Sequence, residues 1–186
     1  IDGETLLTCP HIDKKRFALD LSAALGKLQA LDCYGGPEAG KHNFYRGGDL
    51  KVYHQETVDA LKNLDSRLPV KRLREIWDHS IAEAYAGQNV WVHGDIAPGN
   101  LLLQNNQFYG IIDFGILGTG DPACDYAMAW TYFDDESRKT FLKGLSGDMV
   151  NRARGWALWK ALITYDDVNP SFRDNARYTI SNILNE

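Results

Sequence analysis

Asp95, Asn100 and Asp113 carry the side chains best suited to chemistry in this 186-residue chain, and the sequence around them says how they could meet. Two short apolar runs, 101–103 and 108–112, flank the polar stretch Gln104-Asn105-Asn106-Gln107 and read as a β-hairpin. Pairing across that turn opposes positions that sum to about 211. Asn100 then lies near Ile111 and Asp113 near Pro98, so both polar side chains reach the same end of the hairpin. The loop His93-Gly94-Asp95-Ile96-Ala97-Pro98-Gly99-Asn100 has the Gly and Pro content of a tight irregular turn and returns Asp95 toward both. Two carboxylates and an amide oxygen that converge are costly when buried and unpaired. The fitting compensation for such hard oxygen donors is a divalent cation, Mg²⁺, completed by phosphate oxygens and water.

The remaining elements are mostly helical. Phe17, Leu21, Ala24, Leu25, Leu28 and Leu31 share one face of a helix over 13–31, and a shorter helix is expected at 54–65. Leu73, Ile76, Trp77, Ile81 and Ala84 recur at helical spacing, which predicts a helix over 71–86 that Gly87 ends. A short apolar run at Val90–Val92 precedes the loop. Asp121-Pro122 is a strong helix start, an N-cap followed by proline at the first helical position. Helices at 122–133, 137–145, 148–165 and 172–184 complete the chain. Residues 35–49, GGPEAGKHNFYRGGD, keep no period and read as an irregular excursion over the surface. The fold class is α+β, mostly helical, with a small central β element and no internal repeat.

The strings HGDIAPGN at 93–100, IIDFG at 111–115 and GDPACDYA at 120–127 resemble, in order and spacing, the aminoglycoside phosphotransferase family of small-molecule kinases. The resemblance implies a protein-kinase-like C-terminal lobe with the β-hairpin at its catalytic site. It assigns Asp95 as the catalytic carboxylate that orients the substrate hydroxyl and accepts its proton. Asn100 and Asp113 would hold Mg²⁺ on the phosphates of ATP or another nucleoside triphosphate. His93 and Asp125 would support the catalytic loop without touching substrate. Residues 1–10 resemble the hinge between lobes and 11–186 the C-terminal lobe, while nothing ahead of Asp95 supplies the β-rich nucleotide lobe that such an enzyme needs. The chain opens on Ile1 and its only methionines are Met128 and Met149, which fits an upstream segment outside the given sequence. Gly94 stands where protein kinases place an arginine before the catalytic aspartate, and no APE-like string follows Asp113, so control by loop phosphorylation is not expected.

Composition narrows the partners. Net charge is −5, and the basic residues are scattered instead of forming a stripe, which speaks against nucleic acid. The longest apolar run is five residues, Tyr126 to Trp130, against the roughly 18 to 20 that span a bilayer, which speaks against a membrane partner. Three widely spaced cysteines without metal-ligand spacing suit a reducing, cytoplasmic setting. GGPEAGKH at 35–42 fits a phosphate-binding P-loop only until His42 replaces the Ser or Thr that would ligate Mg²⁺, and it lacks the flanking strand and helix. Asp121 reads as an N-cap, and Trp130, Trp156 and Trp159 as core aromatics. By resemblance, Asp134, Asp135, Glu136, Asp166 and Asp167 lie at helix ends around the substrate pocket, where acidic walls would suit an aminoglycoside or another amine-bearing alcohol. Two function classes follow: a kinase whose catalytic lobe this is, the isolated lobe being expected to lack activity, or a non-catalytic kinase-like module that only binds a ligand.

Overall fold

The computed structural model describes residues 4–9 and 11–186. Of the 1–10 hinge expectation, residues 1–3 and 10 lie outside the described residues, while Glu4–Thr5 forms strand β1. Helices α1 (Lys14–Gln29), α2 (His54–Asn63) and α3 (Val70–Ser80) follow. Strands β2 (Val90–Val92), β3 (Leu101–Gln104), β4 (Gln107–Ile111) and β5 (Gly118–Gly120) occupy the middle of the chain. Helices α4 (Met128–Thr131), α5 (Asp135–Phe141), α6 (Gly147–Ile163) and α7 (Pro170–Leu184) close it. The strands form two antiparallel sheets of order β1-β3-β4 and β2-β5. Among the described residues no helix is long and apolar enough to cross a membrane.

Local chemistry explains most of these boundaries. The Asp13 carboxylate accepts hydrogen bonds from the backbone of Lys15 and Arg16 and starts α1, whose Phe17, Leu21 and Leu25 enter the core. In the hairpin, Leu101 opposes Ile111 and Leu102 opposes Gly110, then a bulge shifts the register so that Leu103 opposes Phe108. Gln104 pairs with Gln107, which reduces the connection to two residues. Asn105 and Asn106 both have positive φ, 53° and 60°, the type I′ geometry whose twist matches that of the strands.

Elsewhere tertiary packing overrides the sequence pattern. The helix expected over 71–86 stops at Ser80 instead of running to Gly87. Buried Ser80 turns its hydroxyl back onto the Ile76 carbonyl and packs where α6 approaches, and a Cβ on Gly155 would come within 2.5 Å of both Ser80 and Leu50. The helix expected over 122–133 is split into a 3-10 turn over Pro122–Tyr126 and the short α4, because Asp121 and Asp125 both commit their side chains elsewhere in the fold. The surface excursion at 35–49 is tied down. Asn43 is fully buried, Glu38 bridges Thr119, and the backbone of Asp121 donates to Gly47 O at 2.7 Å. Strand β5, unmarked by any side-chain period, exists through this close approach: a Cβ on Gly120, whose φ is +151°, would lie 2.0 Å from Gly47 O. Gly120→Ala is therefore expected to separate the 41–53 segment from β5 and to cost about 1–3 kcal/mol in urea unfolding, as overpacking does; an unchanged midpoint would show that this contact carries no stability.

Candidate active site

Strand β2 ends at fully buried Val92 and feeds the loop 93–100. A buried carboxylate fixes the loop's first turn. Asp125 Oδ2 accepts from the backbone N–H of His93 at 2.8 Å, and Oδ1 accepts from that of Gly94 at 2.7 Å. Gly94 takes φ +86°, a conformation that suits glycine, and turns the chain sharply toward Asp95. The His93 ring, itself fully buried, ties two segments together. Its Nδ1 accepts from the Asp95 N–H at 3.2 Å, which leaves Nε2 to donate to Ile112 O at 3.0 Å. The Phe114 ring closes over the imidazole edge-to-face, with 4.7 Å between centroids.

Asn100 connects the far end of the loop to the hairpin. Its Nδ2 donates to the Asp95 carbonyl at 2.9 Å and to Asp95 Oδ2 at 2.8 Å, and its own carbonyl accepts from Ile112 N–H at 2.9 Å. Asp113 therefore follows directly on a residue bonded to both His93 and Asn100. It has φ 63°, uncommon for a residue with a side chain though tolerated by Asp, and its Oδ1 accepts from Gly115 N–H at 3.3 Å. Asp95 and Asp113 line one open cavity of about 460 Å³. Asn100, which does not itself line that cavity, spends its amide N–H groups on Asp95 and so keeps its Oδ1 free of hydrogen bonds to the described residues. Among the described residues no cluster of three His, Cys, Asp or Glu side chains could hold a metal. One carboxylate and one amide oxygen fit Mg²⁺ in its usual phosphate-bridged role, where phosphate and water complete the octahedron, and do not make a closed protein cage.

The other residues singled out in the sequence fall in two places. Asp134 caps α5 by accepting from Ser137 N–H at 3.0 Å, which holds its carboxyl below the usual range, Asp135 pairs with Arg138, and Glu136 pairs with Lys15 of α1 at 2.6 Å. None of the three lines the cavity. Asp166 and Asp167, with Glu56 and Asp59, line a neighbouring groove of about 680 Å³ that shares Glu56 and Ile163 with the cavity. Asp166 is paired with Arg67 at 2.8 and 2.5 Å, and that guanidinium lowers its pKa. Asp121 combines its N-cap bond to Ala123 with a buried pair to Arg152 at 2.6 Å. Trp130 and Trp156 are core residues, whereas Trp159 also presents an edge to the cavity and donates from Nε1 to Glu56 at 2.6 Å. The cavity further contains Arg46, Tyr53 and Lys160, which sequence reading passed over. Lys160 comes from α6, while Arg46 and Tyr53 are placed by the tethering of 41–53 to β5 and by stacking of Tyr53 on Trp159, 3.8 Å between centroids, which no local pattern announces.

Burial is the main influence on Asp125. It pushes the carboxyl up to about 6, against the opposing pull of the two backbone N–H groups and the Arg46 guanidinium. The ordinary aspartate value is about 3.9, so between roughly pH 4 and 6 the folded chain holds a proton that the unfolded chain has released. This contribution is present in full below about pH 4 and is lost as pH rises through 6, a loss on the order of 1–3 kcal/mol. Chemical unfolding of wild type across that window, against Asp125→Asn, should show a downward slope in the wild type that the variant lacks. Parallel profiles would mean that Asp125 does not titrate there.

The chain matches the phosphotransferase enzyme family over residues 1–162. No curated protein matches it in sequence. Among solved structures it is similar to macrolide 2'-phosphotransferase MphH from Brachybacterium faecium, at 17% identity and TM-score 0.55 over 97% of this chain and 67% of that one. It is also similar to a thermostable mutant of aminoglycoside phosphotransferase APH(4)-Ia, at 16% identity and TM-score 0.61, covering 99% of this chain and 68% of that one. A further structure of that enzyme type, a ternary complex with AMP-PNP and hygromycin B, gives 18% identity and TM-score 0.60 over the same shares. A type I macrolide 2'-phosphotransferase is spanned over only 60% of its length. These likenesses establish a kinase-like α+β fold. Because the match runs over residues 1–162, most of the chain, and includes the loop that carries Asp95 and the hairpin that follows it, the chain belongs to the phosphotransferase enzyme family.

Proposed function

We propose that this chain is the catalytic lobe of an ATP-dependent phosphotransferase that phosphorylates a hydroxyl group of a small molecule. The observation that supports this most directly is the Asn100 side chain, which donates to the Asp95 carboxylate while its neighbourhood is stitched to Asp113 through Ile112. On this reading Asp95 is the proton acceptor, and Asn100 and Asp113 are the phosphate-side groups tied to it through the loop and hairpin hydrogen bonds. Phosphoryl transfer asks little else of a protein, since in-line positioning and charge neutralisation supply most of the acceleration.

Asp95 lines the open cavity with one carboxylate oxygen engaged by Asn100, so the other is available to accept the hydroxyl proton of the acceptor. The acceptor oxygen forms its bond to the γ-phosphorus as the bond to the nucleoside diphosphate breaks. Asn100 and Asp113 would hold Mg²⁺, which would supply charge neutralisation on the phosphates. His93 and Asp125 keep the loop backbone in place through the hydrogen bonds described above, and Phe114 covers the imidazole. In the solved relatives, AMP-PNP and hygromycin B occupy one ternary complex, which supports a nucleotide and an amine-bearing alcohol as the ligand classes here. The groove lined by Glu56, Asp59, Asp166 and Asp167 gives such an alcohol a place for its cationic end.

In the complete enzyme, Asp95→Asn should lower kcat by about 10² to 10⁴, the range of a lost general base, with the thermal transition little changed. Phosphate transfer from ATP to a panel of amine-bearing and neutral alcohols measures this. Near-normal turnover by the variant would overturn the assignment of Asp95.

A further inference from the structure

Arg46 differs from the other arginines of the molecule in what it lacks. Its Nε is buried and has no hydrogen-bond partner, and among the described residues the side chain enters no ion pair. Arg138 and Arg154 also bury an unpartnered guanidinium nitrogen, yet each still holds a carboxylate, Asp135 and Glu186 respectively. Asp95 and Asp113 line the same cavity, yet neither forms an ion pair with Arg46, and the other acidic groups nearby are engaged. Both oxygens of Asp125 serve the loop amides, Glu56 accepts the Trp159 indole N–H, and Asp95 Oδ2 accepts from Asn100.

The guanidinium is nevertheless held firmly and aimed. It lies over the rings of Trp156 and Trp159, 4.8 and 5.1 Å from their centroids, and lines the cavity that Asp95 and Asp113 share. Aromatic faces hold a cation in place without neutralising it. The stem is fixed too: buried Asn43 donates to the Arg46 carbonyl at 2.9 Å, and a Cβ at position 94 would come to 3.0 and 3.1 Å from Arg46 Cβ and Cγ. Gly94 thus leaves the room that Arg46 fills. Lys160 lines the same cavity and adds a second positive group. A half-buried planar cation without a counter-ion, its Nε out of reach of water and its side chain lining an open cleft, is organised to receive an oxyanion in its fork.

We propose that Arg46 is the oxyanion-binding residue of this cleft, a positioning group that holds a phosphate or carboxylate beside Asp95. The proposal rests on the reading of the cleft as a phosphoryl-transfer site. Two sources share this chemistry: the phosphoryl group in transfer, and an acid group on the acceptor.

Trp156 and Trp159 make the event visible, because an anion drawn to the guanidinium changes the field on both indoles. Titrating the chain at constant ionic strength with sodium phosphate, and separately with glycerate as a small hydroxy acid, should give a saturable change in tryptophan fluorescence. Arg46→Gln should raise the apparent Kd by about tenfold or more, while Arg46→Lys, which keeps the charge, should retain part of the affinity. Response to phosphate alone assigns the site to the transferred group, and response to glycerate assigns it to the acceptor. Asp95→Asn should bind these anions at least as tightly as wild type, so a failure of the catalytic assignment, read by phosphate transfer, is told apart from a failure here. Equal binding by wild type and Arg46→Gln, or no saturable response to either anion, overturns the proposal.

Discussion

The two hydrogen bonds from the His93 and Gly94 amides to the buried Asp125 carboxylate are the constraint on which the site depends. A carboxylate with no exposed surface is expensive unless its oxygens are satisfied, and here the satisfying donors are the first two amides of the loop that carries Asp95. Any shift of that loop strands a buried acid. Because His93 also reaches Ile112 and Ile112 reaches Asn100, the same constraint passes to the hairpin and fixes where Asp113 begins. Three segments far apart in sequence, 93–100, 111–113 and 121–126, thereby behave as one polar block.

The helices supply the walls that keep this block from moving. Helix α6 packs against α3, α7 and the 3-10 turn after β5, and its buried residues face nearly every direction, as suits a helix enclosed by others. Arg152 on α6 pairs with Asp121 next to Asp125, so the helix grips the block electrostatically as well as by packing. Both side chains are almost wholly buried, a setting in which losing one partner leaves a stranded charge and is costly. Further along α6, Trp159 lines the cleft and buried Trp156 lies against the Arg46 guanidinium. A single helix therefore joins the support of the catalytic loop to the surface on which a ligand would sit.

What the sequence makes legible is what local rules govern. The hairpin follows from two short apolar runs around a polar turn, and α1, α2, α6 and α7 follow from their periodicity and caps. What escapes it is decided between segments. Helix α3 stops where Ser80 meets α6, the 122–126 stretch tightens because its aspartates bond elsewhere, and β5 is two glycines and a threonine held by proximity to Gly47. Arg46 reaches the cleft for the same reason, from a stretch whose Gly-rich sequence reads only as a loop. Of the five acidic residues expected near substrate, Asp166 and Asp167 border the adjoining groove and the α5 trio serves capping and surface pairing.

Position 94 shows how the loop and the 41–53 segment are matched. Its φ of +86° disfavours any side chain, and the volume a side chain would need is taken by the stem of Arg46. A positive charge beside Asp95 is thus supplied from a different part of the chain than the residue preceding the aspartate. The charge is then independent of the loop's sequence but dependent on the contacts that hold 41–53 against β5, the Gly47–Asp121 backbone bond and the Gly118 and Gly120 approaches among them. In this molecule the segment that sets the charge of the cleft and the segment that sets its chemistry are separate in sequence and joined by glycine contacts that no side chain can replace.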